Sequence, residues 1–323
     1  MPRPDSATTI QRPDLGAIAY EYLQEASQRG FIGLEILPIF ETPLQTSTYP
    51  IIKLESLIKL QETKRAPRAD YNRSDYEFKD GYYACHEHGW EELVDDVEAA
   101  MYRRFFDAEV VATQRCIDTI LRNQESRVAS AVFSTANITN TAAAAIPWST
   151  VATCVPRTNV LAAKAAMRAA SGLTPNTMAI SMKVFETLLL CKEIMDALKY
   201  TNPIEIGGME AQKRVLATYF GVDKFLVGNA IKDGAKKGQA ASIADIWDDE
   251  YCGLFKVSDG GQDLKDPCLG RTFLWTEDSP ENVVVEQYRE EKKRSEVYRA
   301  RHDVAEAFVF TGAGYLISNI IDP

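Results

Sequence analysis

The order of apolar patterns along the chain predicts an α+β fold, with helical segments early and strand-like segments late. Residues 91–133 lack Gly and Pro and repeat apolar side chains at three- and four-residue steps, as a long amphipathic helix does. Short apolar runs follow one another after residue 250, which is typical of strands. Because helices and strands do not alternate regularly, an α+β fold is favoured over a repeated βαβ array.

Composition and charge define the class of protein before any motif is considered. The 323 residues are 46% hydrophobic and 25% charged, which is ordinary for a globular protein, and the length favours two subdomains. The net charge of −10 repels phosphate, so it disfavours specific nucleic-acid binding. The start of the chain, MPRPDSATTIQRPDLG, has no apolar signal core, and no stretch is long enough to span a membrane. We therefore expect a protein of the reducing cytoplasm, with free thiols.

The helical patterns can be placed individually. A short one, LGAIAYEYLQEASQ, precedes a strand-like run, GFIGLEILPIFETP. The longest is predicted from about residue 106 to 133, roughly 42 Å. The acidic cluster before it is interpreted as a helix N-terminus favoured by the dipole: Glu91, Glu92, Asp95 and Asp96. Further helices are predicted in RTNVLAAKAAMRAASG, in GGMEAQKRVLATYFGV and, after a strand, in NTMAISMKVFETLLLCKEIMDALKY.

Residues 45–90 form a long, charged segment with aromatic strand formers and too few apolar residues for a core. The pattern predicts two extended arms of roughly 15 residues each, about 50 Å long. A two-stranded ribbon is only marginally stable by itself, so this segment needs another surface to lie on.

The sequence contains no convincing catalytic constellation. His86 and His88 share a strand face but lack a third ligand at metal-site spacing, so a polar pair on an edge strand is favoured. Gly312 and Gly314 lack the third glycine and the helix of a dinucleotide-binding loop. No GxSxG motif is present, and the six cysteines form no CxxC pair. We therefore expect neither an enzyme nor a bound metal or cofactor.

Several segments, in the same order along almost the whole chain, resemble major capsid proteins of tailed bacteriophages and prophages, which share the Hong Kong ninety-seven fold. These segments include RPDLGAIAYEYLQEASQRGFIGLEILPIFE, YYACHEHGWEELVDD, ESRVASAVF, LTPNTMAISMKVFETL, YFGVDKFLVGNA and VVVEQYREEKKRSEVYRARHDVAEAFVFTGAGYLISN. No single motif is specific, but the ordered set is.

The resemblance implies a domain layout and explains the charged segment. It implies an N-terminal arm at 1–44, an E-loop at 45–90, a peripheral (P) domain at 91–172 and 282–308 with the spine helix near 106–133, and an axial (A) domain at 173–281 and 309–323. In this family the E-loop lies across a neighbouring subunit. Its expected contacts here are Tyr49, Lys53, Arg65, Arg68, Tyr71, Arg73, Tyr76 and Phe78.

The implied function is self-assembly through pentamers and hexamers into an icosahedral shell around double-stranded DNA. Expected partners are other copies of the chain, a portal protein, a scaffolding protein separate from this chain and, in some phages, a decoration protein. The packaged DNA lies near the shell without specific binding, and no membrane is involved. The expected location is the virion, after assembly in the bacterial cytoplasm. An encapsulin-like compartment that holds an enzyme cargo is the alternative with the same fold.

Overall fold

The computed structural model describes residues 10–11, 30–53, 57–68, 70–75, 77–102, 107–199, 208–236, 238–259, 261–262 and 264–321. The helices in these ranges are α1 (Gly33–Ile36), α2 (Asp96–Tyr102), α3 (Ala108–Val132), α4 (Pro156–Ser171), α5 (Met182–Leu190), α6 (Lys192–Leu198) and α7 (Met209–Phe220). No helix among the described residues has both the length and the apolar content that crossing a membrane requires.

The strands of the described residues form two larger sheets and two separate ribbons. In chain order they are β1 (Ile10–Gln11), β2 (Ile39–Thr42), β3 (Thr46–Ile52), β4 (Phe78–Ala84), β5 (His86–Asp95), β6 (Thr141–Ala143), β7 (Thr177–Ser181), β8 (Lys224–Gly228), β9 (Ile231–Asp233), β10 (Ile243–Asp245), β11 (Cys252–Phe255), β12 (Gly270–Trp275), β13 (Val284–Glu290), β14 (Ser295–Phe308) and β15 (Gly314–Ser318). This mixture confirms the predicted α+β class.

Helix α3 is the predicted long helix, and it connects two hydrophobic cores. Asp107 caps its first turn by accepting a hydrogen bond from the Glu109 N–H at 3.1 Å. Its 25 residues span about 37 Å. The first half packs Cys116, Ile117 and Ile120 against one sheet, whereas Val128 and Val132 near its end belong to the other core. The helix therefore joins two bodies that each have their own sheet.

The first sheet has six strands, in the order β1-β13-β14-β12-β2, and β5 also pairs with β14. Strand β14 is the long central member, and all ten residues of β5 pair with it in antiparallel register. Tyr298 and Ala300 of β14 face Cys116 and Ile117 of α3, so this sheet and the first half of the helix share a core.

The second sheet has five strands, in the order β6-β15-β11-β7-β8. Strands β7 and β11 are buried at every residue, because helices and loops cover them. Helix α4 packs here through Val160 and Met167. It begins at Pro156 and ends before Gly172, whose φ of +71° is the left-handed conformation in which helices commonly stop.

Several local predictions need correction. The run before α3 is not helical from residue 91, because β5 pairs with β14 as far as Asp95. Glu91, Glu92 and Asp95 are therefore strand residues, and only Asp96 begins a helix. Residues 33–36 form α1, where a strand was predicted, although β2 follows as expected. The predicted helix at LGAIAYEYLQEASQ lies outside the described residues.

The sheet pairings also show which segments of the chain share a sheet. The separate β3–β4 ribbon ends at Ala84, so residues 86–90 belong to the six-stranded sheet and not to the extended arm. Strands β2 and β12 join that same sheet because they pair with each other and β12 pairs with β14. Strand β6 and helix α4 pack with the five-stranded sheet.

Candidate inter-subunit surface

The β3–β4 ribbon and the described residues between its strands (46–53, 57–68, 70–75 and 77–84) are named the arm. Its base, the root (Tyr49 and Tyr83), packs on the six-stranded sheet. The Tyr83 ring stacks on Phe273 of β12 at a centroid distance of 4.2 Å, and the Tyr49 ring lies 5.7 Å from the same phenylalanine. The Tyr83 hydroxyl and Thr42 Oγ1 share a hydrogen bond of 2.7 Å. Phe273 is fully buried. The root is therefore anchored inside its own subunit.

The register of the ribbon gives it two different faces. Tyr49 lies opposite Gly81, and a Cβ at position 81 would lie 2.5 Å from the Tyr49 ring. Glycine is needed there because the ring crosses the neighbouring strand. On the other face, Ile52 pairs directly with Phe78, and Tyr82 follows on the same side. All three are exposed, and together they define the outer face of the arm.

The tip of the arm, residues 53–77, carries exposed apolar side chains, and its central part is basic. Leu57, Ile58 and Leu60 are exposed, and Leu60 exposes 97% of its surface. Residues 57–73 contain five basic side chains (Lys59, Lys64, Arg65, Arg68 and Arg73) and two acidic ones (Glu62 and Asp70), a net charge of +3. This is opposite in sign to the whole chain. Exposed apolar groups beside like charges are typical of a surface that another molecule covers.

The described part of the tip has local order although it has no core. The Asn72 side-chain amide donates to the Glu62 carbonyl at 2.7 Å, which joins the two sides of the tip. The Arg65 guanidinium lies 4.6 Å from the Tyr71 ring centroid, in a cation–π contact. Lys53 pairs with Glu77 where the ribbon opens, and this hydrogen bond lowers the pKa of the Glu77 carboxyl.

The predicted contact residues fall into three groups. Lys53, Arg65, Arg68, Tyr71, Arg73 and Phe78 are exposed on the arm, and Arg68 has a left-handed backbone with φ of +67°. Tyr76 lies outside the described residues. Tyr49 differs from the others, because its ring is buried against Phe273 of its own chain and anchors the root.

Sequence reasoning missed the apolar part of this surface. Leu57, Ile58 and Leu60 stand in SLIKL, within the segment predicted to form extended arms, yet none of them is in a strand and all are exposed. Their position in the sequence was a usable signal, because these apolar residues cluster in a segment that is too charged to bury them. The partner of the root, Phe273, is distant in sequence and had no local signal.

Glu125 of α3 connects three parts of the subunit near the junction of the two cores. Its carboxylate accepts hydrogen bonds from the backbone N–H groups of Ile32 and Gly33, each at 2.8 Å, and from Trp247 Nε1 at 2.7 Å. Burial raises the pKa of this carboxyl to about 7, although the three donors act in the opposite direction. The group therefore holds α1 and the segment before β11 on the long helix.

The histidines do not form the metal site considered from the sequence. His88 and His302 face each other across β5 and β14, with ring centroids 5.7 Å apart. Burial, together with the nearby Arg127, lowers the pKa of His302 to about 3, so this ring is neutral at physiological pH. Within the described ranges, no three His, Cys, Asp or Glu side chains are placed to hold a metal ion.

The chain is similar in sequence to a known phage protein, although no family model matches it. The major capsid protein of Burkholderia phage BcepMu is 28% identical over 300 residues, which cover 90% of this chain and 91% of that protein.

Solved structures resemble the chain over most of its length. A phage-related protein from Bordetella bronchiseptica superposes with a TM-score of 0.68 at 20% identity, covering 96% of this chain and 98% of that one. The capsid protein of cyanophage P-SCSP1u gives 0.59 at 10% identity, with 88% and 86% covered. A virus-like particle from Pyrococcus furiosus gives 0.57 at 14% identity, with 93% and 98% covered.

The fold is therefore that of shell-forming capsid proteins, the Hong Kong ninety-seven fold, as predicted. Within that class, the curated relative and the structural neighbours confirm the resemblance to the major capsid proteins of phages.

Proposed function

We propose that this chain is a phage major capsid protein whose arm holds neighbouring subunits together in a closed shell. The observation that carries the proposal is the arm itself. Its root is buried in its own subunit, whereas its outer face and its tip expose Ile52, Leu57, Ile58, Leu60 and Phe78. A second copy of the chain is the partner for this surface, because the phage relative is itself a capsid protein.

An arm of this kind fits the way in which a closed shell is stabilised. Each subunit makes several modest contacts, and closed symmetry multiplies them. Burying the exposed apolar side chains on a neighbour stabilises the contact by the hydrophobic effect, at roughly 25 cal/mol per Å² before the costs of association. The basic side chains of the tip set the orientation on an acidic neighbour and contribute less to affinity.

The domain roles follow the two sheets. The six-stranded sheet and the first half of α3 correspond to the peripheral domain, and the five-stranded sheet corresponds to the axial domain around five- and six-fold axes. The family's architecture supports pentamers and hexamers as the assembling units, with double-stranded DNA inside. A net charge of −10 suits a wall along which packaged DNA slides without binding.

The remaining partners follow from the same proposal. Portal, scaffolding and decoration proteins complete such a shell, assembly takes place in the bacterial cytoplasm, and the chain acts as a structural protein and not as an enzyme. An encapsulin-like compartment is the alternative function, supported by the likeness to the virus-like particle from Pyrococcus furiosus. The phage capsid relative favours the virion.

The test shortens the arm without disturbing its root. The Lys53 N–H donates to the Glu77 carbonyl at 3.2 Å, so these two residues already face each other across the ribbon. Replacing residues 54–76 by Asn-Gly closes the hairpin with a two-residue turn that suits this register. We expect the full chain to form large particles in negative-stain electron microscopy. The shortened chain is expected to remain folded, by circular dichroism, but to stop at subunits or capsomers.

Two outcomes would overturn the proposal. A full chain that forms only a small discrete oligomer would exclude a shell. Closed particles from the shortened chain would exclude the arm as the element that joins subunits. Enzyme cargo that copurifies with particles of the full chain would favour the encapsulin-like alternative.

A further inference from the structure

Two cysteines that are far apart in the sequence meet in the core of the five-stranded sheet. Cys154 lies in the turn before α4, and Cys191 lies between α5 and α6. Both are buried, and their sulfur atoms are 2.8 Å apart, in a thiol–thiol hydrogen bond. Three of the other cysteines direct their sulfur to a backbone carbonyl instead: Cys85 to Phe273, Cys116 to Tyr298 and Cys268 to Gly270.

Backbone hydrogen bonds on both sides hold the two cysteines in this contact. The Lys192 N–H, directly after Cys191, donates to the Val151 carbonyl at 2.9 Å. On the other side, the Arg157 N–H donates to the Glu193 carboxylate at 3.2 Å. The Cys154 N–H bonds to Thr150 within its own turn. The two segments are therefore joined independently of the sulfurs, so bond formation needs little movement of the backbone.

We propose that Cys154 and Cys191 are a modification site that closes to an intrachain disulfide when the protein leaves the reducing cytoplasm. The oxidant that reacts with this site is a low-molecular-weight disulfide such as oxidised glutathione. Inside the cell the pair stays as two thiols, because reducing systems keep cytosolic cysteines reduced. The geometry of the pair does not depend on the proposed function, since it lies inside one subunit; only the occasion of its oxidation, release from the cell, rests on that function.

The chemistry is two successive thiol–disulfide exchanges. The first cysteine thiolate attacks one sulfur of oxidised glutathione, the glutathione disulfide breaks, and one glutathione thiolate leaves. The second cysteine thiolate then attacks the protein sulfur of the mixed disulfide and releases the second glutathione. Two electrons pass from the cysteine pair to the glutathione pair, and the two thiol protons end on the released glutathiones. Burial raises the pKa of the Cys154 thiol, so the reaction waits for local opening.

The disulfide would stabilise the subunit without any new contact between subunits. It closes a loop between residues 37 positions apart, which constrains the unfolded chain. For a chain of this length we expect the melting temperature to rise by about 5 °C.

The test counts thiols in the full chain. The protein is incubated with oxidised glutathione at 10 °C below its melting midpoint, where local opening exposes buried groups. It is then unfolded in acid and alkylated, and its mass is measured. We expect six alkylated cysteines before oxidation and four after it. Non-reducing peptide mapping should join the peptides of Cys154 and Cys191, and the melting temperature should rise with the loss of the thiols.

Two serine variants provide the controls. Cys154→Ser should form no intrachain bridge, because Cys191 alone can complete only the first exchange. It then loses at most one thiol, and the mass shows one bound glutathione. Cys116→Ser keeps a donor for the Tyr298 carbonyl and should fall from five to three, because its pair is intact. Six thiols remaining in the wild type, a bridge between other cysteines, or a loss of two thiols in Cys154→Ser would overturn the proposal. Each readout is a property of the subunit, so it is independent of whether shells form.

Discussion

The arm and the five-stranded sheet contain similar strand-forming residues, but their strands are buried to different extents within the chain. Strands β7 and β11 are buried at every residue by elements of the same chain. In the arm, burial within the chain stops at the root, and the outer face with Ile52, Phe78 and Tyr82 is exposed. The difference indicates that strand composition alone does not say which molecule completes a core. In the arm, we propose, the missing part is a neighbouring subunit.

The largest expected effect comes from the tip. Replacing Leu57, Ile58 and Leu60 together with serine should raise the concentration needed for assembly at least about 100-fold, because buried interface anchors cost more than about 1 kcal/mol each. Light scattering against protein concentration measures this threshold. Leu161→Ser, at an exposed leucine of α4, is the control. Equal thresholds for the triple variant and the wild type would show that the tip is not buried by assembly.

Substitutions at two phenylalanines distinguish the role of the root from that of the outer face. Phe273→Ala removes a fully buried ring that contacts Tyr49 and Tyr83, so the free energy of unfolding should fall by about 3–5 kcal/mol. Phe78→Ala, at a ring that is 59% exposed, should change it by less than about 0.5 kcal/mol while weakening assembly. Urea unfolding of subunits and light scattering measure the two effects. The comparison fails if Phe78→Ala destabilises the subunit as much as Phe273→Ala does.

Glu125 gives the core a dependence on pH that extends into the neutral range. Its folded pKa of about 7 lies above the ordinary value of 4.5, so the folded state holds a proton that the unfolded state has lost. The stabilisation from this group is therefore complete below pH 4.5 and is lost as pH rises towards 7. Relative to Glu125→Gln, the wild type should lose about 3 kcal/mol between pH 5 and pH 8. Urea unfolding at both pH values checks this, and parallel changes in the two proteins would contradict it.

The smallest expected effect is at the ion pair where the ribbon opens. Lys53 and Glu77 are both exposed, so Lys53→Ala should not change the melting temperature of the subunit measurably. Calorimetry of subunits and of assembled particles distinguishes two roles for this lysine. A lower melting temperature for the particles alone would assign Lys53 to the inter-subunit contact.

The amino-acid sequence predicted those parts of the fold that interactions between nearby residues determine. The stop of α4 at Gly172 and the apolar repeat of α3 were both readable, because a glycine and a helical period act within a few residues. The strand character of residues 91–95 was not, since the pairing of β5 with β14, about 200 positions later, overrides a helix-like pattern. For the same reason, no local signal showed that Tyr49 packs on Phe273 of the same chain.

A surface that is complementary to a neighbour is a hazard until the neighbour is in place. At the tip, Lys59 separates Ile58 from Leu60, and Lys64 and Arg65 follow within a few residues. Charges in these positions act as gatekeepers against aggregation of newly made chains, because two like-charged tips repel each other. The same lysine and arginine side chains that, we propose, orient the arm in a finished particle also oppose its association with other arms before assembly.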